Sequence, residues 1–116
     1  MSSAEELTRS ALNSLVGGRV HPDVAIGVPA PYIVYQAAGG EDRTSFSGRS
    51  ALQNCRMQIA VWSKSRLEAA GVMRDVQIAM TAPPLRAKPI GAPVSDYDRE
   101  TNLYGSRLDF SMWYKN

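Results

Sequence analysis

The chain has 116 residues, 44% of them hydrophobic and 21% charged, with a single cysteine, Cys55. That mix fits one globular domain over residues 1–116 and excludes an intrachain disulfide and long disordered tracts. The 13 Lys and Arg against 11 Asp and Glu give a net charge of +2, spread along the chain, unlike the clustered basic face of a nucleic-acid binder.

No apolar run approaches the roughly 18 residues of a membrane span. The start Ser2-Ser3-Ala4-Glu5-Glu6 is acidic and unlike a secretory leader. One cysteine fits a reducing cytosol.

Ser2 and Ser3, each three residues before a glutamate, are overlapping capping boxes. Ala4, Leu7, Ala11, Leu12 and Leu15 follow at helical spacing, and Gly17-Gly18 is a stop, so a helix is predicted over 3–16. Arg19 to Pro22 is a short extended piece. Residues 22–31, with Pro22, Gly27, Pro29 and Pro31, read as a loop. The β-branched and aromatic run from Tyr32 to Ala38 predicts a strand. Residues 39–50 are polar and glycine-containing around a lone Phe46, which predicts a long hairpin arm or mobile loop.

Alternation returns at 51–62. Cys55, Met57, Ile59 and Val61 form the apolar face; Arg56, Gln58, Ala60 and Trp62 form the other. Ser65-Arg66-Leu67-Glu68 is a further capping box. Ala69, Val72, Met73, Val76, Ala79 and Met80 then predict a helix over 64–81, ended by Pro83-Pro84. Gly71 inside it costs about 1 kcal/mol against alanine, which a close helix–sheet contact would explain. Residues 86–90 read as a weak edge strand because of Pro89, and Val94 to Asn102 as polar turn. The last segment, Leu103 to Tyr114, is a strand with Tyr104, Leu108, Phe110, Met112 and Tyr114 on one face and Arg107, Asp109, Ser111 and Trp113 on the other. Without βαβ alternation, the expected fold is α+β: a mostly antiparallel sheet of about four strands with two helices packed on one face.

No catalytic constellation emerges. His21 is the only histidine and has no metal-ligating company. Cys55 falls on the apolar face, where cysteine behaves as a small hydrophobe. Asp96, Asp98 and Glu100 resemble a solvated loop with Arg99 among them, more than a cation site. No phosphate-binding glycine pattern is present. The chain is therefore expected to be no enzyme and to use no cofactor or metal.

The polar sheet face is the informative oddity. Trp62 and Trp113 both lie on it, beside arginines, as in the core of a protein interface. A loop folding back over the rings, or a local bulge, would account for them equally well. Arg43, Arg49 and Arg56 with Phe46 could form a basic stripe, but Glu41 and Asp42 are adjacent, so a protein contact is the preferred reading of this loop.

Several segments together carry a family resemblance: Leu15-Val16-Gly17-Gly18-Arg19-Val20-His21-Pro22-Asp23, Pro29-Ala30-Pro31-Tyr32-Ile33-Val34-Tyr35, Ser47-Gly48-Arg49, and Cys55 to Ser63. In order and spacing the chain resembles the tail-completion, or tail terminator, proteins of long-tailed bacteriophages. The signal is weakest after residue 82. The resemblance implies a small α+β protein that forms a six-fold ring, caps the tail tube, ends its polymerisation and presents a surface to the head connector protein. It implies no catalysis and no cofactor. The expected partners are further copies of the chain, the tail tube protein and the head connector protein, with assembly in the host cytoplasm and residence at the head–tail junction of the virion. The interface residues expected on this reading are Arg43, Phe46, Arg49, Trp62, Arg107 and Trp113. A head-completion or neck adaptor protein and a small nucleic-acid-binding module are the alternatives. The first differs in its partner, the second in a steep salt dependence of binding.

Overall fold

A computed structural model of the protein describes residues 3–41, 44–45, 48–49 and 52–115. Its framework is a sheet in the order β1-β2-β5-β7-β6, with two helices on one face. The expected α+β architecture is present, with five strands in this sheet where the sequence suggested about four.

Helix α1, Ala4–Leu12, starts where the capping box predicts. The Ser3 hydroxyl accepts from the Glu6 amide at 3.1 Å, and the Glu6 carboxylate accepts from the Ser3 amide at 3.0 Å. It is shorter than predicted. Residues 13–18 form turns, and the Gly18 amide closes onto the Asn13 carbonyl at 2.8 Å. The extended piece after it is strand β1, Val20–Pro22, which runs parallel to β2, Tyr32–Ala37. Three residues are too few to show a period, so this strand was not predictable as a sheet member.

A two-rung hairpin of β3, Thr44–Ser45, and β4, Gly48–Arg49, lies in the predicted arm. The centre of the sheet is β5, Leu52–Ser63, paired antiparallel with β2 and with β7, Leu103–Lys115. Strand β6, Lys88–Asp98, forms the far edge against β7, with an irregularity between Ile90 and Val94. It overturns the turn predicted from Val94 onward. Polar side chains misled the reading: this edge strand has almost no buried face, so its composition resembles a loop.

The core lies between the sheet and the helices. Met57, Ile59 and Val61 of β5, Leu108, Phe110 and Met112 of β7, and Ile33 of β2 are buried toward Leu12 of α1 and Met73, Val76 and Met80 of α2, Arg66–Thr81. The predicted alternation of β5 is observed. Thr8 is a polar residue in this core, and its hydroxyl is satisfied by the Ala4 carbonyl at 2.9 Å.

Only half of the second capping box forms. The Ser65 hydroxyl accepts from the Glu68 amide at 3.0 Å, while the Glu68 carboxylate accepts from the buried Ser63 hydroxyl instead. Next to the cap, Arg66 donates to the Gly105 and Asp96 carbonyls, each at 2.6 Å, and lies 5.3 Å from the Tyr104 ring centroid. One guanidinium thus ties the start of α2 to both strands of the β6–β7 hairpin.

Gly71 makes no close helix–sheet contact: a Cβ there would meet nothing within 4 Å. Its helical backbone needs no glycine. Gly71→Ala is expected to raise stability by about 0.5–1 kcal/mol, read as a higher denaturant midpoint with an unchanged slope.

Candidate functional site

The sheet face away from the helices carries no helix among the described residues. The side chains there come from the open-face positions of each strand: Tyr32 and Val34, Gln58 to Trp62, Arg107 to Trp113, and Asp96 and Asp98. Among the described residues, two ion pairs cross it. Arg56 donates to Asp109 at 2.7 Å, and Arg107 stands 3.8 Å from Asp96.

A hollow of about 300 Å³ occupies one end of this face. Trp62 forms part of its floor. The ring lies over Gly105, so close that a Cβ on Gly105 would sit 2.8 Å from Cζ3. Tyr32 is the direct cross-strand partner of Trp62. Asp96 faces Gly105 across the β6–β7 ladder, and Asp98 lies one pleat further on. The loop after β1 folds back as a wall, contributing Asp23 and Val24. The Trp62 ring is half-buried, and the loop after β1 shares the hollow with it.

The electrostatics are acidic. Asp23, Asp96 and Asp98 line the hollow against Arg107, which is half-exposed and loosely paired. Burial pushes the Tyr32 phenol above its usual 10, and the negative charge of Asp98 adds to the rise. Cys55 is buried, and its thiol is likewise pushed up, first by burial and then by Glu5, which suits an inert core residue.

Of the expected interface residues, the fold brings Trp62 and Arg107 together at the hollow. Trp113 pairs with Asn54, eight positions along β5 from Trp62, or ~26 Å at 3.3 Å per residue. The two tryptophans therefore belong to opposite ends of the face. Arg49 is a residue of β4; Arg43 and Phe46 lie outside the described residues. Arg56, considered for a basic stripe, is held by Asp109 of its own chain. His21 sits on β1 beside Val34. Asp96 and Asp98, read as loop acids, are strand residues on the open face. Among the described residues, no group of three or more His, Cys, Asp and Glu converges as a metal site would require. The period-two series Val94, Asp96, Asp98 was the available signal for these acids.

At the other end, the arm is anchored tightly. The Ala38 amide bonds the Arg56 carbonyl at 2.7 Å, and the Glu41 amide bonds the Asn54 side-chain carbonyl at 2.9 Å. Gly40, at φ 151°, packs so close to the Asn54 backbone that a Cβ would collide with it. Asn54 also donates to Ser111 Oγ at 2.9 Å, tying the arm's base through β5 to β7.

Comparison with known proteins places this geometry. The family described as Tail completion protein gp17 matches residues 7–115. A chain in the virion of a native gene transfer agent particle is similar in fold, with a TM-score of 0.62 at 18% identity, covering 90% of this chain and 84% of that one. The gp17 protein of bacteriophage SPP1 is also similar, with a TM-score of 0.56 at 21% identity, covering 97% of this chain and 91% of that one. No curated protein sequence matches the chain significantly.

Two outcomes test the site as described. Gly105→Ala is expected to lift Trp62 off the sheet, changing tryptophan emission and lowering stability by about 1–3 kcal/mol. The raised Tyr32 phenol keeps its proton longer in the folded chain than in the unfolded one. Its contribution to stability is therefore present below pH 10 and is lost as pH rises through its folded value. In Asp98→Asn the smaller of the two causes is gone, so tyrosinate absorbance from Tyr32 is expected at lower pH than in the parent.

Proposed function

The chain belongs to the tail completion protein gp17 family, and we propose on that premise that it assembles into a six-subunit ring that caps the tail tube, ends its polymerisation and joins tail to head. The observation that carries this reading is the family match along residues 7–115. It is a structural role, performed by assembly, with no catalytic step or cofactor. The partners are further copies of the chain, the tail tube protein and the head connector protein. Assembly takes place in the host cytoplasm and the finished ring resides at the head–tail junction.

The shape supports a ring. A closed ring needs a heterologous contact, in which one patch meets a different patch on the neighbour. This fold has unlike edges: β6 is 11 residues long and β1 only 3. It also has unlike ends, with an anchored arm at one and an acidic hollow at the other. Pro89, Pro93 and the irregularity between Ile90 and Val94 interrupt the long edge, which leaves its Val94–Asp98 half as the regular stretch a neighbour would cover. In this proposal Trp62, Trp113, Phe46, Arg43, Arg49 and Arg107 contribute to subunit or tube contacts.

The test is tube length. Tail tube protein polymerised with the chain present is expected to give tubes carrying a ring of six subunits at one end, which stop growing, seen by electron microscopy and native mass spectrometry. Tubes that grow unchanged and carry no added mass would overturn the reading.

A further inference from the structure

We propose that the outer face of α2 pairs two free copies of the chain, the two helices crossing antiparallel at Gly71. A two-fold contact has no place inside a six-subunit ring, so it goes beyond the ring reading and concerns the subunit before assembly.

The face lies directly opposite the core. At about 100° per residue, Ala69, Met73, Val76 and Met80 cluster on the buried side of α2, and Leu67, Gly71, Arg74 and Ile78 cluster on the reverse. Two of these are large, apolar and open to water: Leu67 is 86% exposed and Ile78 63%. Scattered singly, such residues need no explanation. Here they stand at the two ends of one stripe. Between them Gly71 presents bare backbone, since a Cβ there would meet nothing within 4 Å. Nothing inside the subunit uses that gap, and glycine costs about 1 kcal/mol in a helix interior. A second helix crossing at Gly71 would use it, because the distance between helix axes is set by the side chains at the contact.

The spacing identifies the occupant. From Leu67 the stripe steps by four, three and four residues to Ile78, so it reads the same from either end. Laid antiparallel on a second copy, Leu67 meets the partner's Ile78, and Arg74 meets the partner's Gly71. Helical side chains lean toward their own N-terminus, so Arg74 passes over that glycine toward the partner's Asp75. Among the described residues, neither Arg74 nor Asp75 has an ion-pair partner in its own subunit. Both charges are therefore available, and the two-fold axis makes two equivalent pairs of them. A self-complementary patch of this kind forms an isologous dimer. Its size makes the dimer weak. The 16 residues of α2 give a face ~24 Å long and ~10 Å wide, well under the ~800 Å² per partner of a stable interface. A pair that weak dissociates readily and leaves the subunit free to enter a ring.

Cysteine trapping reads the register. Leu67→Cys and Ile78→Cys are made as two separate variants; both positions are exposed, and the native Cys55 is buried. Under mild oxidation the mixed variants are expected to cross-link at least about tenfold faster than either alone. In the antiparallel register position 67 faces position 78, whereas two copies of either position stand ~16 Å apart, beyond the ~7 Å that a disulfide spans. Gly71→Leu builds into open space, so the fold is kept, as circular dichroism checks, while the crossing is blocked. Added to both cysteine variants, it is expected to bring the mixed rate down to that of the separate samples. Equal rates in mixed and separate samples would overturn the dimer and leave this face to a different partner. Cross-linking that Gly71→Leu does not slow would overturn the crossing at Gly71. No tail tube enters the assay, so its result stands whether or not rings form on tubes.

Discussion

The pairing of β5 with β7 governs the rest of the molecule. It runs from Leu52 opposite Lys115 to Ser63 opposite Tyr104 without a bulge. Because side chains alternate with period two, that single register assigns every residue of both strands to a face. A slip of one residue would turn Met57, Ile59 and Val61 to water and bring Arg56 and Gln58 into the core. The buried face then dictates where α1 and α2 must lie, and the other face carries no helix among the described residues. Met57, Met73, Met80 and Met112 are all fully buried. Their flexible side chains suit a core formed between two helices and a twisted sheet.

A face with no helix packed on it has to be made compatible with water largely by its own side chains. Here that is done by pairing charges across strands, as with Arg56 and Asp109, and by leaning one large ring over a glycine, as with Trp62 and Gly105. Exposed ion pairs of this kind add little stability, about 0–1 kcal/mol each. Their stronger effect is on what can dock. Arg56, already neutralised at 2.7 Å, is a poor anchor for a second partner, whereas the loosely held carboxylates around Trp62 retain their attraction for a cation. The two ends of one face thereby acquire different binding characters from the same composition.

How much of this was legible in the sequence follows from burial. Strand β5, the buried half of β7 and helix α2 announced themselves because one face of each meets the core, and burial is what writes periodicity into a sequence. Strand β1 escaped because three residues, Val20 to Pro22, cannot display a period. Most of β6 escaped because, among the described residues, β7 is its one strand neighbour and most of its side chains face solvent. The hollow was invisible for a related reason. It joins Asp23, Tyr32, Trp62 and Asp98, residues that only the strand order β2-β5-β7-β6 and the returning loop bring together. The tryptophans were found by their oddity on a polar face, but sequence could not tell that they sit at opposite ends of it.

The contrast between those ends has a mechanical side. At the hollow, Arg66 grips the Gly105 and Asp96 carbonyls from the first turn of α2, so the floor and one acidic wall are held by the helix layer through the sheet. Tyr97 meets Tyr104 in a tilted contact, 4.9 Å between ring centroids and 57° between planes, and Arg66 covers the latter, closing the hairpin on its helix side. At the other end, Asn54 and Gly40 fix the root of the arm to the sheet. The hollow is thus built on a rigid frame, so a partner that fills it meets no cost of ordering the receptor, and the entropy cost of ~1–2 kcal/mol for each backbone position fixed falls on the partner.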